Sequence, residues 1–155
     1  MQSFDWIDFL LLLIFLIPIV IFDIKEKRIP DLFVLPGIGI FLIKRLIERE
    51  IPVYMVLING VVGFAFIFLL FVFSKGKIGL GDAKLSALIS LALGVKLWMI
   101  AIFIASFTGV LFALILIAFR KMKWKTRLPF APFLSFGCLI PFFIKSLPFM
   151  QFLRI

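Results

Sequence analysis

Residues 53–73 read VYMVLINGVVGFAFIFLLFVF, a run of 21 residues with no charged side chain. An α-helix rises about 1.5 Å per residue, so a run of this length spans the roughly 30 Å apolar core of a bilayer. A second long apolar run, Leu97 to Phe119, has the same character. These two runs predict membrane-spanning helices and decide the fold class.

The composition of the whole chain agrees with that class. Of its 155 residues, 65% are hydrophobic and 22 are Phe, whereas soluble domains use about 45–50% apolar residues. No linker, repeat or low-complexity segment divides the chain, which predicts one transmembrane domain over residues 1–155. We therefore predict an all-α polytopic membrane protein with about six transmembrane helices, at Trp6–Phe22, Leu32–Ile47, Val53–Phe73, Asp82–Gly94, Leu97–Phe119 and Leu128–Ile144.

Two of these predicted spans are irregular. The second contains Pro36, Gly37 and Gly39, and it reaches full length only if Lys44 and Arg45 extend outward to the membrane surface. The fourth covers about 13 residues, or roughly 20 Å of helix, which is too short for the apolar core. Two explanations stay open for the fourth: irregular backbone lining a water-filled cavity, or a tilted hairpin in a locally thinned bilayer.

The basic residues predict how the chain is oriented. The formal net charge is +9, but the 17 Lys and Arg side chains lie in the gaps between apolar runs rather than on one folded face. This distribution favours anionic lipid headgroups over nucleic acid as the partner. Cytoplasmic loops are enriched in basic residues, so both termini are predicted outside, with these residues on the inner side: Lys25, Lys27, Arg28, Lys75, Lys77, Lys84, Arg120, Lys121, Lys123, Lys125 and Arg127.

Whole classes of chemistry are excluded by what this chain lacks. It has no His and one Cys, Cys138, so it cannot form a Ser–His or Cys–His couple or a zinc site built from His or several Cys. Cys138 lies within an apolar run and is interpreted as a small core residue. We expect neither a metal nor a cofactor.

Two carboxylates remain as candidates for catalysis. Asp23 follows the first apolar run in FDIKEKRIPD (22–31), and Asp82 opens the fourth in GLGDAKL (79–85). Two spans separate them, so both lie on the same face of the membrane. Alone, Asp23 could begin a solvated loop and Asp82 could cap a helix. Together they can hold a water molecule between an ionised and a protonated carboxyl group.

The position of each aspartate on its helix predicts which one is ionised. Asp82 lies at a helix start, where free N–H groups favour the carboxylate, and Asp23 closes a helix, where the dipole opposes it. We therefore predict Asp82 as the base and Asp23 as the acid. Gly79 and Gly81 allow the backbone to turn tightly and to come close to a bound peptide.

Three motifs in order resemble the type IV prepilin peptidase family. They are Asp23 with Arg28-Ile29-Pro30-Asp31, then Gly79-Leu80-Gly81-Asp82 with Lys84-Leu85, then LPFAPFL (128–134). The family includes archaeal preflagellin peptidases, and the resemblance covers nearly the whole chain. It implies catalytic roles for Asp23 and Asp82, and a substrate site formed by Gly79, Gly81, Pro129, Phe130, Ala131 and Pro132.

The resemblance also implies an activity and a location. Members are intramembrane aspartic endopeptidases of the GxGD type, and they remove the basic leader from prepilin-like or preflagellin-like precursors at the cytoplasmic face of the inner membrane. This chain begins at the first span, without the cysteine-bearing N-terminal segment of full-length bacterial members, so methyltransferase activity is not expected. Two alternatives stay open: a protease of the presenilin or signal-peptide-peptidase type, and a small ion-coupled transporter with intramembrane aspartates.

Overall fold

The computed structural model describes residues 5–74, 79–119 and 129–146, and in these ranges the chain forms six α-helices and no strand. Three of them, α1, α3 and α5, are long and apolar enough to cross a membrane. The predicted all-α, polytopic membrane architecture is confirmed. The predicted inner-loop residues 75, 77 and 120–127 lie outside the described ranges. The helices are α1 Trp6–Glu26, α2 Asp31–Glu48, α3 Val53–Phe73, α4 Leu80–Leu93, α5 Val95–Ala118 and α6 Ala131–Ser146.

The helix ends do not all coincide with the ends of the apolar runs. α3 has the predicted bounds, whereas α1 continues from Phe22 to Glu26. It ends where the Lys27 N–H donates to the Asp23 carbonyl at 2.9 Å and Lys27 takes a left-handed conformation, with φ of 52°. A helix does not stop where its side chains become polar, so Asp23 lies in the last turn of α1 rather than after it.

The short helix α4 lies at the centre of the bundle. Ten of its 14 residues are buried, and it packs against α2, α3 and α5. Its serines bond to these neighbours: the Ser90 hydroxyl donates to the Asn59 carbonyl at 2.6 Å, and the Trp98 ring N–H donates to Ser86 Oγ at 2.9 Å. A helix that is buried over most of its length by other helices does not need the length of a lipid-facing span. Gly94, with φ of 78°, joins it directly to α5.

Small residues bring α5 and α6 close together. Ala101, Ala105, Gly109 and Ala113 recur every four residues, which predicts a surface that another helix can approach closely. Ala101 and Ala105 are fully buried. A Cβ added to Gly137 of α6 would overlap the Ala101 carbonyl oxygen. The close approach is therefore confirmed at the first two positions of the stripe.

A cluster of charged side chains lies at the C-terminal end of α4. Arg45 Nη2 donates to Asp8 Oδ2 at 2.9 Å and to the Ala92 carbonyl at 2.6 Å, and Lys44 Nζ pairs with Asp8 Oδ1 at 2.5 Å. Glu48 pairs with both cations. Asp8 and Arg45 are 0% and 2% exposed. The condition that Arg45 extends outward is not met, because Asp8 and the Ala92 carbonyl of α4 provide its partners inside the bundle.

This cluster makes Arg45 important for stability. Replacing Arg45 with Ala leaves Asp8 buried with Lys44 as its remaining cation, and removing one partner of a buried pair costs on the order of 3 kcal/mol. We expect a clear fall in the thermal unfolding midpoint of the purified protein in detergent. Lys96→Ala, at an exposed side chain, is the control and should change the midpoint little. Equal midpoints for the two variants would contradict a stabilising role for the cluster.

Candidate active site

Asp23 reaches the interior of the bundle from the last turn of α1. It is 5% exposed, and its Oδ2 accepts a hydrogen bond from the Ala131 N–H at 2.9 Å. Ala131 is the first residue of α6, and the N–H groups of a first helical turn have no partner within the helix. Asp23 therefore connects the end of α1 to the start of α6. This contact joins residues 108 positions apart in the chain.

Asp82 lies in the first turn of α4. Its Oδ2 accepts a hydrogen bond from the Gly79 N–H at 3.1 Å. This bond folds the Gly79–Asp82 segment back on itself and holds the carboxyl group at the helix start. Asp82 is half-buried, while Ala83 after it is completely buried. The side chain thus lies at the boundary between the packed bundle and the space beyond it.

The two aspartates line one cavity of about 580 Å³. The structure thus brings together two carboxyl groups that lie on different helices, as the count of intervening spans predicts. Two such groups sharing a site can hold one proton between them and act as an acid and a base toward a bound water molecule.

The predicted substrate-site residues divide into two groups. Gly79, Gly81 and Phe130 line the cavity with the aspartates, whereas Pro129, Ala131 and Pro132 do not. Ala131 is fully buried and faces Asp23 through its N–H. The residues at the start of α6 therefore contact Asp23, and Phe130 just before them lines the cavity.

Gly81 has a neighbour that the sequence does not reveal. A Cβ added at this position would lie 2.8 Å from the Ile29 Cβ, closer than side-chain atoms approach. The absence of a side chain at Gly81 therefore makes room for Ile29, on the segment between α1 and α2. Asp31, two residues later, pairs with Lys84 of α4. Ile29, Asp31 and Lys84 lie within the first two sequence motifs, but the contacts that they make could not be predicted from those motifs.

The contact between Asp23 and Ala131 also weakens the predicted assignment of the proton. The prediction counted free N–H groups at the start of α4 as favouring an ionised Asp82. Asp23 faces the start of α6 in the same way, so backbone N–H groups at a helix start donate to both carboxyl groups. Helix-end electrostatics therefore do not distinguish the base from the acid.

Comparison with known proteins places the chain in a family. A profile described as the type IV leader peptidase family matches residues 10–114. A prepilin leader peptidase/N-methyltransferase of Bacillus subtilis is 28% identical over 127 residues, which are 82% of this chain and 51% of that protein. A Pseudomonas putida protein of the same name is 29% identical over 125 residues, 77% of this chain and 43% of its own length. No solved structure matches with significance.

The fold and the site define a helical membrane protein with two aspartates in one cavity at one end of the bundle. The chain belongs to the type IV leader peptidase family. It spans about half the length of the curated relatives that it matches, whose names combine two activities.

Proposed function

We propose that this chain is an intramembrane aspartic endopeptidase that removes the leader from type IV prepilin-like or preflagellin-like precursors. The observation that carries the proposal is the shared cavity, in which Asp23 of α1 and Asp82 of α4 face one space. A chain without His can still hydrolyse a peptide bond with two carboxyl groups. The names of the two curated relatives support the substrate class.

In the proposed reaction, the ionised aspartate removes a proton from water as the water oxygen adds to the scissile carbonyl carbon. The other aspartate, protonated, donates to the carbonyl oxygen. When the tetrahedral intermediate collapses and its C–N bond breaks, the first aspartate gives the leaving amine the proton taken from water. The second aspartate takes back its proton from a hydroxyl of the intermediate, which leaves a carboxylic acid as the other product. Gly79, Gly81 and Phe130 form the wall along which the peptide lies. Ala131 supports Asp23 through its N–H, and Pro129 and Pro132 shape the entry of α6.

The charge around the cavity supports a cytoplasmic active site in the inner membrane. Lys27, Arg28 and Lys84 line the cavity, at the same end of the bundle as the two aspartates. Basic residues concentrate on the cytoplasmic side of membrane proteins. This end is therefore the proposed cytoplasmic end, and it is where a leader of a membrane-anchored precursor is exposed.

Specific observations favour this function over the two alternatives. A transporter site lies near the middle of the membrane, whereas Asp23 is in the last turn of α1 and Asp82 in the first turn of α4. A protease of the presenilin type also has paired aspartates, but the family match favours leader peptidases.

Cleavage by the purified protein tests the proposal. A precursor with a short basic leader before one apolar helix is added in detergent, and the product is identified by mass spectrometry. We expect removal of the leader, with the same rate after treatment with a chelator, because the two carboxyl groups supply the chemistry. An uncut precursor, or activity lost to the chelator and restored by zinc, would contradict the proposed mechanism.

A further inference from the structure

The segment between α1 and α2 and Asp31, the first residue of α2, contact the start of α4 at two points. The first is apolar: the Ile29 Cβ occupies the space beside Gly81, where an added Cβ would be 2.8 Å away. Ile29 is half-buried and packs against the core. Because Ile29 cannot move closer to Gly81 without a steric clash, the contact sets a minimum separation between the segment and α4.

The second contact is ionic. Lys84 Nζ lies 2.7 Å from each carboxylate oxygen of Asp31. The two side chains are 33% and 52% exposed, so the pair contributes little to overall stability. Its geometric effect is different, because it prevents the segment from moving away from α4.

In the sequence, these contacts flank Asp82: Gly81 precedes it and Lys84 follows it. Gly81 and Lys84 are three residues apart, so they lie on the same face of α4. Ile29 and Asp31, which make the contacts with α4, are separated by Pro30, whose ring fixes its φ, here −73°. The segment begins just after α1, which carries Asp23. It is therefore a short rigid connection between the two aspartates.

We propose that Ile29 and the Asp31–Lys84 pair are positioning elements that set the separation of the Asp23 and Asp82 carboxyl groups. Ile29 limits how near the α1 end can come to α4, and the ion pair limits how far it can move away. Both elements line the cavity, and the role proposed for them is to position the two carboxyl groups. The inference rests on the proposed peptidase function and assigns these residues a part in its geometry.

A steric swap tests the apolar contact. Gly81→Ala should lower kcat about 100-fold, the effect of a misplacement of about 1 Å. Ile29→Gly in the same chain removes the overlapping carbon and leaves the Ile29 Cα as the next atom, at 3.6 Å. We expect this second change to restore at least about tenfold of the lost kcat. Ile29→Val is the matched control, because it keeps the Cβ and should not restore activity.

A double-mutant cycle tests the ionic contact at exposed side chains, where the fold is not at risk. Lys84→Met and Asp31→Asn should each lower kcat by up to about fivefold, and the double variant should be no worse than either. Lys84→Arg keeps the pair and should restore activity. If Lys84 acted on the aspartates by charge alone, the two losses would instead be independent and would multiply.

The outcomes separate this inference from the proposed function. A wild-type protein that does not cut the precursor contradicts the peptidase proposal. If the wild-type protein cuts the precursor, three results would overturn the positioning role alone. They are an unaffected Gly81→Ala variant, a failed rescue by Ile29→Gly, and losses that multiply in the double-mutant cycle.

Discussion

Replacing Asp23 or Asp82 with Asn is expected to lower kcat/KM by about 10³-fold or more, because each aspartate supplies one half of the acid–base chemistry. Asn has the size of Asp but can neither accept a proton from water nor donate one to the carbonyl. The Asn side-chain oxygen can still accept the Ala131 N–H at position 23 and the Gly79 N–H at position 82. The variants should therefore insert and purify as the wild type does, and cleavage of the precursor is the measurement.

Asp5→Asn is the matched control for these variants. Asp5 precedes α1, is exposed and lies at the opposite end of that helix from Asp23. It makes the same chemical change without touching the cavity, so full activity is expected. Substantial cleavage by either Asp23→Asn or Asp82→Asn would show that the reaction does not depend on the pair.

The second large effect is expected at Gly63, where α3 and α4 approach each other closely. A Cβ at Gly63 would overlap the Ser90 Cβ and lie 2.8 Å from the Ser86 carbonyl oxygen. The backbone of α4 has to move to accept a methyl group there, and overpacking of this kind costs about 1–3 kcal/mol. Because α4 carries Asp82, Gly63→Ala should lower both the unfolding midpoint in detergent and the rate of cleavage.

Gly39 offers a control with the same substitution in another helix. Nothing lies within 4 Å of a Cβ added to Gly39 in α2. Gly39→Ala should therefore be neutral or slightly stabilising, since Ala favours helix more than Gly does. If Gly63→Ala and Gly39→Ala behave alike, the close packing of α3 on α4 has no energetic importance.

The apolar pattern of the sequence predicts the helices well where membrane thickness and helix length coincide. α3 is such a case: Pro52 precedes it, its 21 residues are free of charge, and its bounds are the predicted ones. α1 extends four residues beyond its apolar run, because hydrogen bonding along the backbone continues into the charged residues that follow. An apolar run indicates which residues lie in the apolar core of the bilayer, but it does not indicate where the helix ends.

The site could be predicted only as far as local patterns reach. That Asp23 and Asp82 share a face follows from counting spans between them. The contacts Asp23–Ala131, Ile29–Gly81 and Asp8–Arg45 each join distant parts of the chain and depend on how the helices are arranged around α4. Arg45 shows the limit most clearly, because a basic residue near a span end ordinarily extends toward water. Only its buried partner explains the opposite direction.

The burial of α4 has a consequence for how the protein is inserted during synthesis. α4 contains Asp82 and Lys84, and each such residue costs up to about 3 kcal/mol when an isolated helix leaves the translocon for lipid. With 14 residues it also gains less from lipid than a full span does. Its neighbours α3 and α5 are apolar enough to insert on their own. We therefore expect the helix that carries Asp82 to insert together with α3 and α5, and its position to be stabilised by protein contacts instead of lipid.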